Sequence, residues 1–203
     1  MSQYNLVVEN PESTVVSEYL PMVRKESAYQ SEAALEKSLI EQLRMHSYVY
    51  LTATTEKELI QNLREQLEQL NGYEFTDREW EQFFNNRIAN RNYDIEDKTT
   101  IIQEDHIQLL TRDDGTIKNI YLIDKENIHN NRLQVINQYV DSDKDQAKES
   151  DPGRAHRYDV TILVNGLPLV HIELKRRGID LKEAFNQINR YSRESFWAGS
   201  GLF

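Results

Sequence analysis

The chain has 203 residues, with 24 Lys and Arg against 34 Asp and Glu, and a formal charge of −10 at pH 7. That length suits one substantial core, or a core with a helical insertion, and the absence of cysteine excludes a disulfide framework or a thiolate metal centre. No apolar run approaches the ~20 residues that span a bilayer, and MSQYNLVVENPES lacks the charged and apolar regions of a secretory leader, so the expected location is the cytoplasm, with no membrane partner.

Residues 1–30 read as an N-terminal arm, extended over 1–20, with Pro11 and Pro21 as breaks. Glu36, Leu39, Ile40 and Leu43 fall at helical spacing, which predicts an amphipathic helix over 31–46 with the acid at the edge of its apolar stripe. A short extended piece, Tyr48 to Leu51, comes next. Thr55 with Glu58 and Thr76 with Glu79 form two capping boxes. The first opens a helix ending at Asn71-Gly72, a suitable C-terminal cap, and the second opens one reaching about Ala89. Together, residues 55–90 are expected to be a helical insertion whose Trp80, Phe83 and Phe84 pack on the core. Residues 106–123 alternate around Asp113-Asp114-Gly115-Thr116, predicting a hairpin that extends the main sheet. Residues 141–153 are polar and charge-rich and read as a loop. Their D-x-D-x-D start lacks the Gly and Glu that a calcium loop places sixth and twelfth.

The chemistry concentrates in the last quarter of the chain. Runs rich in β-branched residues flank Asn165-Gly166, a strong hairpin signal with strands over 157–164 and 168–175. Asp159 lies six residues before the Asn-Gly step and Glu173 seven after it, so folding the ribbon brings the two carboxylates nearly opposite each other. Glu173 and Lys175 are two apart and share one strand face, while Val170, Ile172 and Leu174 point to the other. Two acids and a base on one face suit phosphodiester hydrolysis, in which a hard cation neutralises phosphate oxygens and acidifies a bound water. Mg²⁺ takes one or two protein carboxylates with water and substrate completing its octahedron. Asp159 and Glu173 are the candidate metal ligands, the Leu174 carbonyl is a further one, and Lys175 is the group that stabilises developing charge. An E-x-K triplet by itself is a very weak signal, and a strand hairpin that exposes Asp, Glu and Lys to solvent is its commoner source.

His171 shares the parity of Glu173 and Lys175 but is expected to be a hydrogen-bonded sheet histidine outside the catalytic set. The five histidines show no H-x-x-x-H spacing, which argues against zinc, and no serine sits in a G-x-S-x-G context. Charge is asymmetric: residues 152–203 carry eight Lys or Arg against five Asp or Glu, while the preceding part carries 16 against 29. Arg176, Arg177, Arg190 and Arg193 are therefore expected to contact DNA phosphates, with binding by this region alone weak and salt-sensitive.

The run RYDVTILVNGLPLVHIELK resembles the PD-(D/E)xK nuclease motif as carried by the restriction subunit of type I restriction-modification enzymes. Gln187 and Tyr191 resemble the Q-x-x-x-Y element that comes after the E-x-K in RecB-like nucleases; four apart on a helix over 181–194, they would share one face. Residues 133–140, with the pair Asn137-Gln138, resemble the family's first core strand, and residues 31–40 resemble its opening helix, with Glu36 fitting the metal-facing acid better than Glu32. The resemblance implies an α/β fold: a restriction-endonuclease-like core over 31–203, with a mixed central sheet flanked by helices and carrying the helical insertion. It implies a catalytic set of Asp159, Glu173, Lys175, Gln187, Tyr191 and Glu36, and Mg²⁺-dependent cleavage of double-stranded DNA after ATP-driven translocation. It further implies assembly with methyltransferase and specificity subunits, the latter selecting the DNA sequence. The helicase motor is expected beyond the C-terminus: no G-x-x-x-x-G-K-[ST] occurs here, so ATP belongs to the full-length subunit only. The ending GSGLF suggests a domain fragment, with a further core strand beyond Phe203. Two other readings stay open: a RecB-like nuclease of repair or mobile elements, and a non-catalytic DNA- or partner-docking module on a nuclease fold.

Overall fold

A computed structural model describes residues 3–9, 15–20, 31–53, 55–141, 156–176, 182, 185–186 and 202. The chain divides into two compact units, Met1–Gln30 and Ser31–Phe203. In the first, β1 (Gln3–Glu9) pairs antiparallel with β2 (Val15–Leu20), with an irregularity between Leu6 and Val8. The expected extended arm is thus a hairpin, and Pro21 comes directly after its second strand. The charged stretch 142–153 and most of the helix expected over 181–194 lie outside the described residues.

The second unit begins with α1 (Glu32–Met45), capped by Ser31, whose hydroxyl accepts from Ala34 N–H at 3.2 Å. Its apolar stripe is half-buried. The two residues of β3 (Val49–Tyr50) then enter the sheet beside a distant strand. Both predicted capping boxes form, each with a Thr hydroxyl and a Glu carboxylate reciprocally satisfying backbone N–H groups. They open α2 (Glu56–Asn71), which ends on left-handed Gly72, and α3 (Asp77–Phe83), which relaxes into a π turn over Phe84–Ile88. A further helix, α4 (Ile95–Gln103), is not among the predicted elements, although Asp94 and Asp97 make a capping box of their own.

The main sheet has the order β3-β6-β7-β8, with β6 (Leu133–Asp141), β7 (His156–Val164) and β8 (Leu167–Ile172) forming an antiparallel meander and β3 lying parallel to β6. It is a mixed α/β architecture. The helices at 56–88 supply much of the buried core, with Trp80, Phe83 and Phe84 packed in it as expected. Leu59, Leu63 and Leu67 of α2 are fully buried at i, i+4 spacing, together with Ile136, Tyr158 and Leu163 of the sheet. Phe75, Trp80, Phe83 and Phe84 pack beside them in edge-on and tilted pairs with ring centroids 5.4–6.5 Å apart. Asn62 and Gln134, both buried, exchange two side-chain hydrogen bonds of 3.0 and 2.8 Å that register α2 on β6.

The hairpin at 106–123 does not extend this sheet. Strands β4 (Ile107–Thr111) and β5 (Ile117–Tyr121) form a separate two-stranded sheet. At the end of β5 a distant residue blocks that edge: Asn71, at the end of α2, accepts from Tyr121 N–H at 2.7 Å and donates to Tyr121 carbonyl at 2.9 Å, taking the two groups of Tyr121 that a neighbouring strand would need. Buried Glu79 accepts from Asp113 N–H at 2.9 Å and ties the hairpin turn to α3.

The Asn165-Gly166 turn fixes the hairpin that matters for function. Both residues have positive φ, 50° and 84°, as a tight two-residue connection requires. Asn165 is almost fully buried, and its amide donates to the Leu122 carbonyl and Asn131 Oδ1 and accepts from Arg132 N–H, at 2.7–3.0 Å. Gly166 lies against the α2 backbone: a Cβ there would sit 2.5 Å from the Cα of Leu63. Gly166→Ala should therefore lower the unfolding free energy by about 2–4 kcal/mol, adding the left-handed penalty to overpacking, read as a shift of the urea midpoint without change in slope.

Candidate active site

Six residues before the turn and seven after it do not match in a regular two-residue hairpin. The mismatch is absorbed by a bulge: Val164 pairs with Leu167 and Leu163 with Pro168, but Ile162 pairs with Val170, leaving Leu169 as the extra residue. Pro168 is tolerated because β8 is the edge strand. Beyond the bulge, Val160 pairs with Ile172, so the continued register sets Asp159 across from Glu173.

Strand pairing stops at Ile172, three residues short of the predicted end, because a side chain replaces the ladder. Leu174 N–H donates to Asp159 Oδ2 at 2.8 Å. Lys175 Nζ donates to Glu173 Oε1 at 2.6 Å, with the Glu173 side chain only 5% exposed and that of Lys175 18%. Asp159, Glu173 and Lys175 thus meet in one place. Burial pushes the Glu173 carboxyl up, and the negative charges of Asp159 and Glu32 push it the same way, while Lys175 pulls it down without cancelling them. Burial alone would lower the Lys175 ammonium, but its hydrogen bond to Glu173 and the charges of Glu173, Glu32 and Asp159 raise it. The base is held firmly cationic by the acids around it.

α1 presents two glutamates, Glu36 to β6 and Glu32 to the segment after β8. Glu36, the metal-facing acid expected from sequence, accepts from the Asn137 amide on Oε1 and from the Gln138 amide on Oε2. Asn137 Oδ1 in turn accepts from the Tyr50 hydroxyl at 2.6 Å. Glu32, the less favoured of the two glutamates by sequence, lies one turn earlier, accepts from Arg176 N–H at 3.3 Å and is felt electrostatically by both Glu173 and Lys175. Its i, i+4 relation to Glu36 is the signal that places it there. Gln138 has a left-handed backbone, φ 55°, inside β6, a strain of order 1–3 kcal/mol for a non-glycine residue. Among the described residues no three His, Cys, Asp or Glu side chains form a metal cage by themselves. Arg176 is exposed next to the site. Gln187, Tyr191, Arg177, Arg190 and Arg193 lie outside the described residues.

His171 is a hydrogen-bonded sheet residue: Nδ1 shares a 2.9 Å hydrogen bond with Thr161 Oγ1, and the ring stacks on Tyr158 with centroids 4.5 Å apart. Burial lowers its pKa to about 4. The unfolded chain takes up this proton near pH 6.5, so between these values it binds more protons than the fold and stability falls as the pH drops. His171→Phe keeps the stack and should remove up to about 3 kcal/mol of acid destabilisation between pH 6.5 and 4, measured as the pH dependence of the urea midpoint in the two proteins.

Against known proteins, the family model for the N terminus of the type I restriction enzyme R protein matches residues 29–203. The chain belongs to that family. Similar proteins include the type I restriction enzyme EcoprrI endonuclease subunit of Escherichia coli, 42% identical over 97% of this chain and 60% of the relative. The SsaAORF53P endonuclease subunit of Staphylococcus saprophyticus is 38% identical over 86% of this chain and 18% of the relative. The SauMSSORF170P endonuclease subunit of Staphylococcus aureus MSSA476 is 37% identical over 87% and 18%. The chain spans 60% of the first relative and about a fifth of the other two. No helix among its described residues is long and apolar enough to cross a membrane.

Proposed function

We propose that this R-protein N terminus is a PD-(D/E)xK endonuclease domain that hydrolyses phosphodiester bonds of double-stranded DNA with Mg²⁺. The observation that carries the reading is the closure of Asp159 on Leu174 N–H, which gathers two carboxylates and the Lys175 ammonium at the edge of the sheet. The donor set fits the ion. It is all oxygen, supplies two carboxylates, and leaves positions for water and substrate, as Mg²⁺ requires. Asp159 and Glu173 would hold it, each with one oxygen engaged by the protein, and when bound it would neutralise phosphate charge and acidify a water.

The chain's own groups do the rest. Leu174 N–H fixes the Asp159 carboxylate, so its geometry does not depend on the ion. Lys175 brings a permanent positive charge beside the acids, where negative charge on the phosphate develops during attack. Its hydrogen bond to Glu173 favours the charged form of that carboxylate and opposes, without cancelling, the upward push of burial. Exposed Arg176 is placed for a phosphate contact.

The endonuclease names of the relatives favour restriction over DNA repair, and carboxylates gathered with a lysine favour catalysis over passive docking. In this reading, double-stranded DNA is delivered by an ATP-driven motor elsewhere in the full-length subunit, acting in the cytoplasm with methyltransferase and specificity subunits. In that assembled complex, Asp159→Ala, Glu173→Ala and Lys175→Ala should each reduce DNA cleavage by about a hundredfold or more while ATP turnover continues. Cleavage and ATP hydrolysis are measured on the same preparation. Wild-type cleavage by all three variants would place the nuclease centre elsewhere.

A further inference from the structure

Consecutive residues of a strand point to opposite faces. Asn137 and Gln138 are consecutive in β6, yet their amides donate to the two oxygens of one carboxylate, that of Glu36. The left-handed backbone at Gln138 reconciles the two facts, because it breaks the alternation and brings both side chains to one side. The position is not arbitrary. Asn137 pairs with Val160 and Tyr139 with Tyr158, so Gln138 falls across from Asp159.

The chemistry of the clamp is informative as well. Glu36 is gripped by two neutral amides, which orient a carboxylate without cancelling its charge; a carboxylate serving only to join α1 to β6 would be satisfied as well by a cation. The Tyr50 hydroxyl holds the Asn137 amide by its oxygen, which leaves the nitrogen to Glu36. Left-handed backbone in a bulky non-glycine residue persists where surrounding structure enforces it, and such strain concentrates at functional sites.

We propose that Gln138 is a positioning residue: through its left-handed backbone and side-chain amide it presents Glu36 as an outer carboxylate to the water shell of the cation held by Asp159 and Glu173. The inference rests on the metal-dependent reading of the Asp159–Lys175 cluster. Glu36 would act through water and not as a direct ligand, as outer partners of a metal site do.

The test is Mn²⁺ binding to the 203-residue chain, tracked by loss of the free-ion paramagnetic resonance signal, with folding checked by circular dichroism. Gln138→Gly suits the left-handed backbone and deletes the amide. Gln138→Asn tolerates the same backbone but shortens the reach. Both, and Glu36→Gln, should weaken Mn²⁺ binding about tenfold in folded protein, the scale of losing an outer partner of a metal site. In a Glu36→Gln background, Gln138→Gly should cost nothing further, because its effect runs through Glu36. Wild-type affinity in both Gln138 variants, or an undiminished further loss in the double variant, overturns the proposal alone. No Mn²⁺ binding by the unmodified chain would overturn the metal reading of the cluster and the proposal with it.

Discussion

The contact of Gly166 with the α2 backbone is the constraint on which the rest of the architecture depends. A hairpin turn can lie on a helix at that distance only if it carries no side chain, and Asn165 beside it must then satisfy its own buried amide. It does so by reaching Leu122, Asn131 and Arg132, three residues of the segment that enters β6. One turn thus fixes the helix, the hairpin and the strand beside it. The Asn62–Gln134 pair, at the residue next to Leu63 on α2, repeats the link, so the functional end of the hairpin projects from a base already locked at the other end.

The functional end itself concentrates negative charge. Asp159 of β7 and Glu32 of α1 act electrostatically on Glu173 of the segment after β8, with Lys175 the cation paired to it, while Glu36 of α1 meets β6 at Gln138, the position across from Asp159. The protein stabilises this arrangement with neutral donors: two side-chain amides for Glu36, and one backbone N–H each for Asp159 and Glu32. Those donors set positions while leaving charge available to a ligand, which is the compromise a cation site demands. The acidity of the whole chain makes the same point at larger scale, since a duplex would approach this region against the field of its own surface unless other parts of the assembly hold it there.

Much of this is legible in the residues. Both threonine capping boxes, the Gly72 cap and the Asn-Gly hairpin are readable because each is a local rule in which one side chain satisfies a nearby backbone group. The pairing of Asp159 with Glu173 is readable because counting along two strands is nearly enough to place them. Less readable are features decided by distant groups. Nothing near 106–123 indicates that Asn71 will occupy the edge of its second strand. The packing role of 56–88 depends on a sheet completed far downstream. Glu32 is hard to single out because helical periodicity puts both glutamates on one stripe without saying which loop each will meet, and the left-handed Gln138 has no signature in a sequence that lacks glycine at that position.

The extra residue at Leu169 gives the hairpin an asymmetric tolerance to changes in length. Exposed loop tips ordinarily accept insertions and deletions with little consequence, whereas a change of one residue within a strand shifts its register. Here the loss of one residue near Leu169 can be absorbed by straightening the ladder, because Ile162 and Val170 keep their pairing once the bulge is gone. A gained residue has no such reserve, since it must create a second bulge or slip the strand by one, and a slip would turn Glu173 to the opposite face of the ribbon. Variation in this family at that edge should therefore run toward shorter hairpins, with the distance from bulge to Glu173 held fixed.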